Sequence, residues 1–379
     1  MSAYFLYHSI GTYPGKAAQM SEALQRFSQV WSAEDDGQWP AALAERQSFI
    51  DTWRGVIDAP AGSMTTADNV TTALYSLIGA LPADRLRGKR VLVAADCFPS
   101  LHFLLAGIAE RFGFTLDTVP LRPGAAWVHD EDFIAHWRED VGLALLTFVS
   151  STASHRVDVK ALAAHGRAMG SIVGVDITQG VGVAPFSVSG GDIDFVISTS
   201  LKWLCGVSGA GVLYVRPELL TDCQPELRGW FSQENPFSWD LDKFQYAGDA
   251  RRFDHGTPAI LAAVASLPGI KWVMQLGIDA IRANNLAAVH KIIGRARDLG
   301  WKIASPLDDR ERGGSVMLTL PSTVEPPRVI AALRAQEIYC DARGSTMRLS
   351  PGVVTSEGAV DELFNALERI APAGSIRSA

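Results

Sequence analysis

The chain has 379 residues, with 34 Lys and Arg against 41 Asp and Glu and a formal net charge of −7. At 47% apolar and 20% charged residues it carries the material for a full core, which excludes a disordered chain. A mildly acidic balance spread along the whole sequence excludes a nucleic-acid or anionic-membrane partner. The length allows one large α/β domain with a smaller one attached.

The first residues, MSAYFLYHSIGTYPG, have neither the basic stretch nor the long apolar run of a secretory leader. Residues 15–60 carry helical periodicity with Trp31, Trp39 and Trp53, and a break is expected at Pro40. From Thr65 the pattern alternates between strand and helix. DNVTTALYSLIGAL (68–81) reads as a helix capped by Asp68 or Asn69. An apolar strand is expected at Arg90–Ala95, a helix near Ser100–Arg111, a strand at Leu143–Val149 and a helix at Val159–Met169. Short apolar runs follow at Ile172–Val175, Phe195–Ser198 and Gly211–Val215. The densest apolar stretch, Gly142 to Val149, has the length of a buried strand and falls short of the roughly 18–20 residues a spanning helix needs.

Continuous Val, Ile and Leu runs between amphipathic helices are strands covered on both faces, so the expectation is a mainly parallel sheet wrapped by helices. One long helical stretch over 265–300 is expected to bridge two regions. A strand at Ser315–Leu320, a helix at Pro327–Gln336, short runs around Tyr339 and Met347–Leu349 and a helix at Glu357–Ile370 then make a compact α+β unit. The expected division is an N-terminal segment, 1–60, packing with the small domain; a large α/β domain, 61–265; and a linking helix with the C-terminal α+β domain, 266–379. Cys97, Cys205, Cys223 and Cys340 lie far apart with no CxxC pair. That pattern speaks against a disulfide framework or a cysteine-bound metal and for a reducing cytoplasm.

Ligands of open α/β sheets bind beyond the carboxyl ends of the strands. SIVGVDITQG (171–180) ends a strand on Asp176, with Gln179 three residues on. DFVISTSLKWLCGVSGAG (194–211) ends another in hydroxyl residues and Lys202 before a glycine-rich turn. Each taken singly has an ordinary reading, Asp176 as a helix cap and Lys202 as a surface lysine. Together, a carboxylate and a lysine at neighbouring strand ends are what pyridoxal phosphate requires: the lysine forms a Schiff base and the carboxylate keeps the pyridine nitrogen protonated. Its phosphate needs hydroxyls and free backbone N–H groups at a helix start, which Val70, Thr71 and Thr72 can supply, with Ser200 beside the lysine.

VDITQGVG, DFVISTSLKW and SGAGVLYV resemble the class V aminotransferase group of fold-type-I pyridoxal-phosphate enzymes. YFLYHSIG, CFPS (97–100), GWFS (229–232), RRFDHGTPAIL (251–261) and CDAR with MRLSPG (340–352) resemble its kynureninase branch. The resemblance runs in order from about residue 4 to 370. It implies a fold-type-I transferase fold with a smaller α+β C-terminal domain, Lys202 as the Schiff-base lysine and Asp176 as partner of the pyridine nitrogen. It implies Phe98 stacked on the ring, Ser100 in the adjoining turn, Gln179 at the ring hydroxyl and Thr147 beside it, and Val70 and Thr71 on the phosphate. Trp230 and Thr257 match positions that reach the phosphate from a second subunit, implying a homodimer with shared active sites. Arg348 matches the arginine that grips the substrate α-carboxylate, and His8 lies in a loop that lines the substrate entrance in the relatives.

The departures fall around the cofactor and the substrate side chain. Kynureninases usually have a tyrosine where Leu201 stands, an acid at Leu101 and histidines at Gln179 and Gln233. The expected reaction is therefore β- or γ-bond chemistry on an α-amino acid or amino-acid-headed substrate in a biosynthetic role, other than kynurenine hydrolysis, with transamination as the alternative. A non-catalytic cofactor-fold binding protein would be expected to lose Lys202, Asp176 or Arg348, and a nicotinamide dehydrogenase would carry a GxGxxG that is not present here. Cys340 precedes the position of a desulfurase persulfide cysteine and reads, with the other three cysteines, as a structural thiol. His255 reads equally as a cofactor contact or an interface residue, and Asp254 and Arg252 as surface or interface pairs.

Overall fold

A computed structural model describes residues 3–370; the outer ends of the first and last expected segments, 1–2 and 371–379, lie outside the described residues. A seven-stranded sheet runs, in spatial order, Met64–Ala67, Gly211–Val215, Phe195–Thr199, Ile172–Asp176, Val141–Thr147, Arg90–Ala94 and Thr115–Val119. Gly211–Val215 is antiparallel to both neighbours and every other pairing is parallel. The runs at 172–176, 195–199 and 211–215 are buried at every residue, as unbroken apolar strands between two helical layers must be. Gly174 is needed for a steric reason: a Cβ there would lie 1.9 Å from Cζ of Phe195 on the next strand. Thr115–Val119 was not apparent from the apolar pattern, because it is the sheet's edge and is only partly buried.

Two other departures have local causes. Pro40 does not break a helix; it sits in the first turn of helix Gln38–Ile57, where its missing N–H has no partner to lose, and the break falls in the six residues after helix Lys16–Trp31. The bridging stretch is two helices, Leu261–Leu276 and Ile278–Asp298, bent by 82° at Gly277, whose φ of 86° suits a residue without Cβ.

The small domain is a four-stranded antiparallel sheet, in order Asp341–Arg343, Thr346–Leu349, Val316–Thr319 and Lys302–Ile303, covered by helices Pro326–Arg334 and Ala359–Ile370. The N-terminal segment divides between the two domains, which corrects the expectation for residues 1–60. Ala3–Tyr4 pairs in parallel with Ile338–Tyr339, and Phe5 enters the small-domain core with Leu318, Leu349 and Phe364. Helices Lys16–Trp31 and Gln38–Ile57 instead lie against Leu261–Leu276, because their apolar faces, Phe27, Phe49 and Trp53 among them, find partners in Val264, Ile270 and the large-domain core.

Candidate active site

Thr147 and Asp176 are cross-strand neighbours at the carboxyl edge of the parallel sheet. Strand Phe195–Thr199 ends beside them and leads into a tight turn in which Cys205 N–H donates to the Lys202 carbonyl at 2.9 Å and Gly206 N–H to the Ser200 carbonyl at 2.8 Å. Cys205 takes a left-handed φ of 57° there, uncommon for a residue with a side chain. The N-terminal segment clamps this turn. Gly11 N–H donates to the Leu201 carbonyl at 2.9 Å, and Lys16 Nζ donates to the carbonyls of Gly11 and Gly206 at 2.7 and 3.0 Å.

A cavity of about 580 Å³ opens at this edge, lined by Val70, Thr71, Phe98, Ser100, Thr147, Asp176, Gln179 and Lys202 among others. The same cavity is lined by Asn69, expected only as a helix cap, and by Ser151, Thr178, Ser208 and Gly209, for which the sequence carried no assigned role. Lys202 Nζ lies 5.4 Å from the centroid of the Phe98 ring. Burial brings the Lys202 amine down to about 8, with Asp176 opposing and Arg348 reinforcing that shift. Asp176 is 5% exposed and its Oδ1 accepts the Thr178 N–H at 3.0 Å. Burial pushes its carboxyl above the usual carboxylate range, against the Thr178 hydrogen bonds and the charge of Lys202.

Helix Val70–Ile78 points its first turn at the cavity. Asn69 caps it, its Oδ1 accepting the N–H groups of Thr71 and Thr72 at 3.0 Å each. Thr71 therefore offers its hydroxyl but not its N–H to an anion, while the Val70 N–H has no partner among the described residues. Gln179 turns towards the N-terminal loop and donates to the His8 carbonyl at 3.2 Å.

Five expected site residues do not line this cavity: Ser200, His8, Trp230, Thr257 and Arg348. Ser200 is fully buried; its hydroxyl donates to the Ala210 carbonyl at 2.7 Å and accepts the Trp53 indole N–H at 2.9 Å, so it braces the lysine turn and does not reach the cavity. Ser200→Ala is expected to cost about 1–3 kcal/mol by stranding a buried indole N–H, lowering the melting temperature while leaving cofactor affinity within about twofold; a large loss of affinity at unchanged stability would restore the phosphate role. His8 is 2% exposed, with Nδ1 2.7 Å from Ser350 Oγ and Nε2 3.0 Å from Asp341 Oδ1. Both ring nitrogens are turned to the chain, Nε2 beside Asp341 but without hydrogen-bond geometry, so His8 does not present the substrate contact expected of it. Trp230 packs on Phe231 and Trp39, and Thr257 lines a neighbouring cavity of about 580 Å³ that shares Asp68, Thr71, Thr72 and Gly209. Neither lines the lysine cavity within one chain.

Arg348 stands behind that cavity, 8% exposed, with Nη1 3.4 Å from the Ser151 carbonyl. Asp254 and Arg252 are buried, not superficial: Asp254 pairs with Arg46 at 2.7 Å, and Arg252 donates to carbonyls that include Cys223 at 2.9 Å and Ala247 at 3.0 Å. All four cysteines are buried, and burial pushes each thiol up to about 12. His102 Nε2 meets Thr118 Oγ1 at 3.1 Å, and His255 lines the neighbouring cavity. Among the described residues no group of acidic, His and Cys side chains could hold a metal ion.

The residues fit pyridoxal phosphate. A buried, raised carboxylate is relieved by a cationic ring nitrogen beside it; Phe98 offers an aromatic face, Lys202 an amine, and the Val70 N–H and Thr71 hydroxyl an anion site at a helix start. A seven-stranded sheet carrying this constellation at its carboxyl edge defines a fold-type-I pyridoxal-phosphate enzyme.

Comparison with known proteins agrees. The model of the family Aminotransferase class-V matches residues 61–352. The chain is 24% identical over 334 residues to the uncharacterized aminotransferase YcbU of Bacillus subtilis (strain 168), covering 88% of this chain and 85% of that one. It is 28% identical over 305 residues to a kynureninase of Bacillus thuringiensis subsp. konkukian (strain 97-27), covering 77% and 69%. Among solved structures, a cysteine desulfurase from Thermococcus onnurineus NA1 superposes with a TM-score of 0.86 at 20% identity, over 97% of this chain and 94% of that one, a likeness of fold. The chain belongs to the class V aminotransferase family, with kynureninases among its relatives, and is a pyridoxal-phosphate-dependent enzyme.

Proposed function

We propose that the protein acts on an α-amino acid, or a molecule with an amino-acid head, breaking or replacing a bond at its β or γ carbon in a biosynthetic role, on a substrate other than kynurenine. The observation that carries the reading is one cavity holding Lys202, Asp176 and Phe98 with Arg348 buried behind it. Bound pyridoxal phosphate supplies an electron-withdrawing ring that weakens the bonds to the substrate α-carbon. Lys202, with its amine lowered to about 8, is about one-tenth unprotonated at pH 7, far more than an ordinary lysine, and is suited to take and return the α-proton. Asp176 would hold positive charge at the ring nitrogen, and Phe98 would offer an aromatic face to the ring.

Leu201, Val149 and Phe98 give the cavity an apolar wall beside Ser100 and Ser151. An apolar Leu201 where kynureninases carry a tyrosine removes a polar group at the reacting end, which supports a substrate other than kynurenine. The four buried thiols speak against sulfur relay through a cysteine. Sites shared in a homodimer, with Trp230 and Thr257 reaching the partner's phosphate, and a cytoplasmic location complete the proposal.

The test is a substrate panel of amino acids and kynurenine, with products identified. Ammonia plus a keto acid from the substrate's own carbon chain, or a shortened amino acid, supports β- or γ-bond chemistry. Stoichiometric 2-oxo acid with amine left on the cofactor would establish transamination instead, and kynurenine cleavage at an ordinary turnover of about 1–10³ per second would overturn the exclusion of that substrate.

A further inference from the structure

Arg348 already grips a carboxylate. Its Nε donates to Asp341 Oδ1 at 2.9 Å and its Nη2 to Oδ2 at 2.5 Å, the two-pronged geometry that a bound substrate carboxylate would take. The pairing is built into a hairpin: Asp341 and Arg348 are cross-strand partners, as are Ala342 with Met347 and Arg343 with Thr346, around a turn with Gly344 at φ 54°.

Resting on the reading of this cavity as an amino-acid site, we propose that Asp341 is a specificity-determining residue that competes with the substrate carboxylate for Arg348. The chain provides for both arrangements. Besides Arg348, Asp341 has His8 Nε2 at 3.0 Å from Oδ1 and Arg343 Nη2 at 3.5 Å from Oδ2. His8 is fixed through Ser350 Oγ, which itself lies 2.5 Å from Ser315 Oγ. Arg343 is 70% exposed at its side chain and free to follow. When a substrate carboxylate takes the guanidinium fork, Asp341 keeps His8 and turns to Arg343, so its charge is never left alone. The consequence is a low premium on the acid group: each carboxylate that binds must break an existing bidentate pair, whereas a neutral carboxamide forgoes little by leaving that pair intact. A site whose receptive state is populated a tenth of the time binds about tenfold more weakly than the receptive state itself.

The experiment uses the full chain with pyridoxal phosphate added. Calorimetric titration with sodium acetate reads the anion site directly, and the visible absorbance change with L-alanine against L-alaninamide reads acid preference. Asp341→Asn is expected to tighten acetate by about tenfold and to raise the alanine-over-alaninamide preference by a similar factor. Arg343→Ala, an exposed change that leaves the fold intact, is expected to weaken acetate by about two- to threefold, since the displaced Asp341 loses its second partner. Acetate binding unchanged or weakened in Asp341→Asn would overturn the proposal and make Asp341 a simple brace for Arg348; if that variant does not fold, unchanged acetate binding in Arg343→Ala overturns it. Tighter acetate with no absorbance response to any amino acid would uphold the competition and sink the enzymatic reading on which it was built.

Discussion

Replacing Lys202 by alanine is expected to abolish the visible band of the reconstituted protein and to lower turnover of an accepted amino acid by about 10²–10⁴-fold, the range for losing a positioned proton-transfer group. Borohydride reduction of the wild-type protein followed by peptide mapping checks the first half: the label should fall on Lys202 and nowhere else. A retained band in Lys202→Ala, or label on Lys16 in the neighbouring segment, would remove Lys202 from its role. The same side chain has a stability signature in the cofactor-free protein. Its folded-state pKa of about 8 is below the ordinary 10.5, so the unfolded chain binds the proton more tightly and the charged lysine destabilises the fold. That cost is full below about pH 8, shrinks between 8 and 10.5 and is gone above 10.5. Lys202→Met should therefore raise the melting temperature of the cofactor-free protein at pH 7 and leave it unchanged at pH 11.

Asp176→Asn carries the second large effect. With the cofactor bound it should cost about 10²–10³-fold in turnover, the scale for losing one fixed electrostatic partner of developing charge. Without the cofactor it should stabilise the protein, because burial raises the Asp176 carboxyl and an uncompensated charge opposes folding. The sign follows from linkage: a raised carboxylate destabilises above its folded-state pKa, and the penalty disappears below the unfolded value of about 3.8. Thermal melts of the cofactor-free variant at pH 7 and pH 3.5 read this directly, with a gain at the first and none at the second. A variant less stable at pH 7 would mean that Asp176 serves the fold and not the ring.

Much of the site was legible in the primary structure because it sits at strand ends. Unbroken apolar runs announce strands buried on both faces, and the chemistry of the cavity begins where those runs stop, at Thr147, Asp176 and Lys202. What misled was direction. Ser200 is two residues from Lys202, yet its hydroxyl faces the Trp53 indole, since both lie in the turn after strand Phe195–Thr199, where strand alternation no longer sets the direction of a side chain. Of the two cap candidates, Asp68 and Asn69, it is Asn69 that takes the N–H groups of Thr71 and Thr72, which leaves the helix start with fewer free donors than the count of residues suggests.

Asp341 was within reach of the sequence, for a hairpin closing around Gly344 places it opposite Arg348, but nothing short of the pairing register says that the two side chains meet. By itself the sequence determined the apolar periodicity, and with it the wrapped sheet, a capped helix within 68–81 and the strand ends that carry a lysine and an acid. Tertiary structure alone decided how the first 60 residues divide between the two domains, which face each hydroxyl presents, and that Arg348 is already paired. The physical reason is one of range. Periodicity and capping are settled within a few residues of chain, whereas His8 with Asp341, or Trp53 with Ser200, meet only after packing has brought distant segments together.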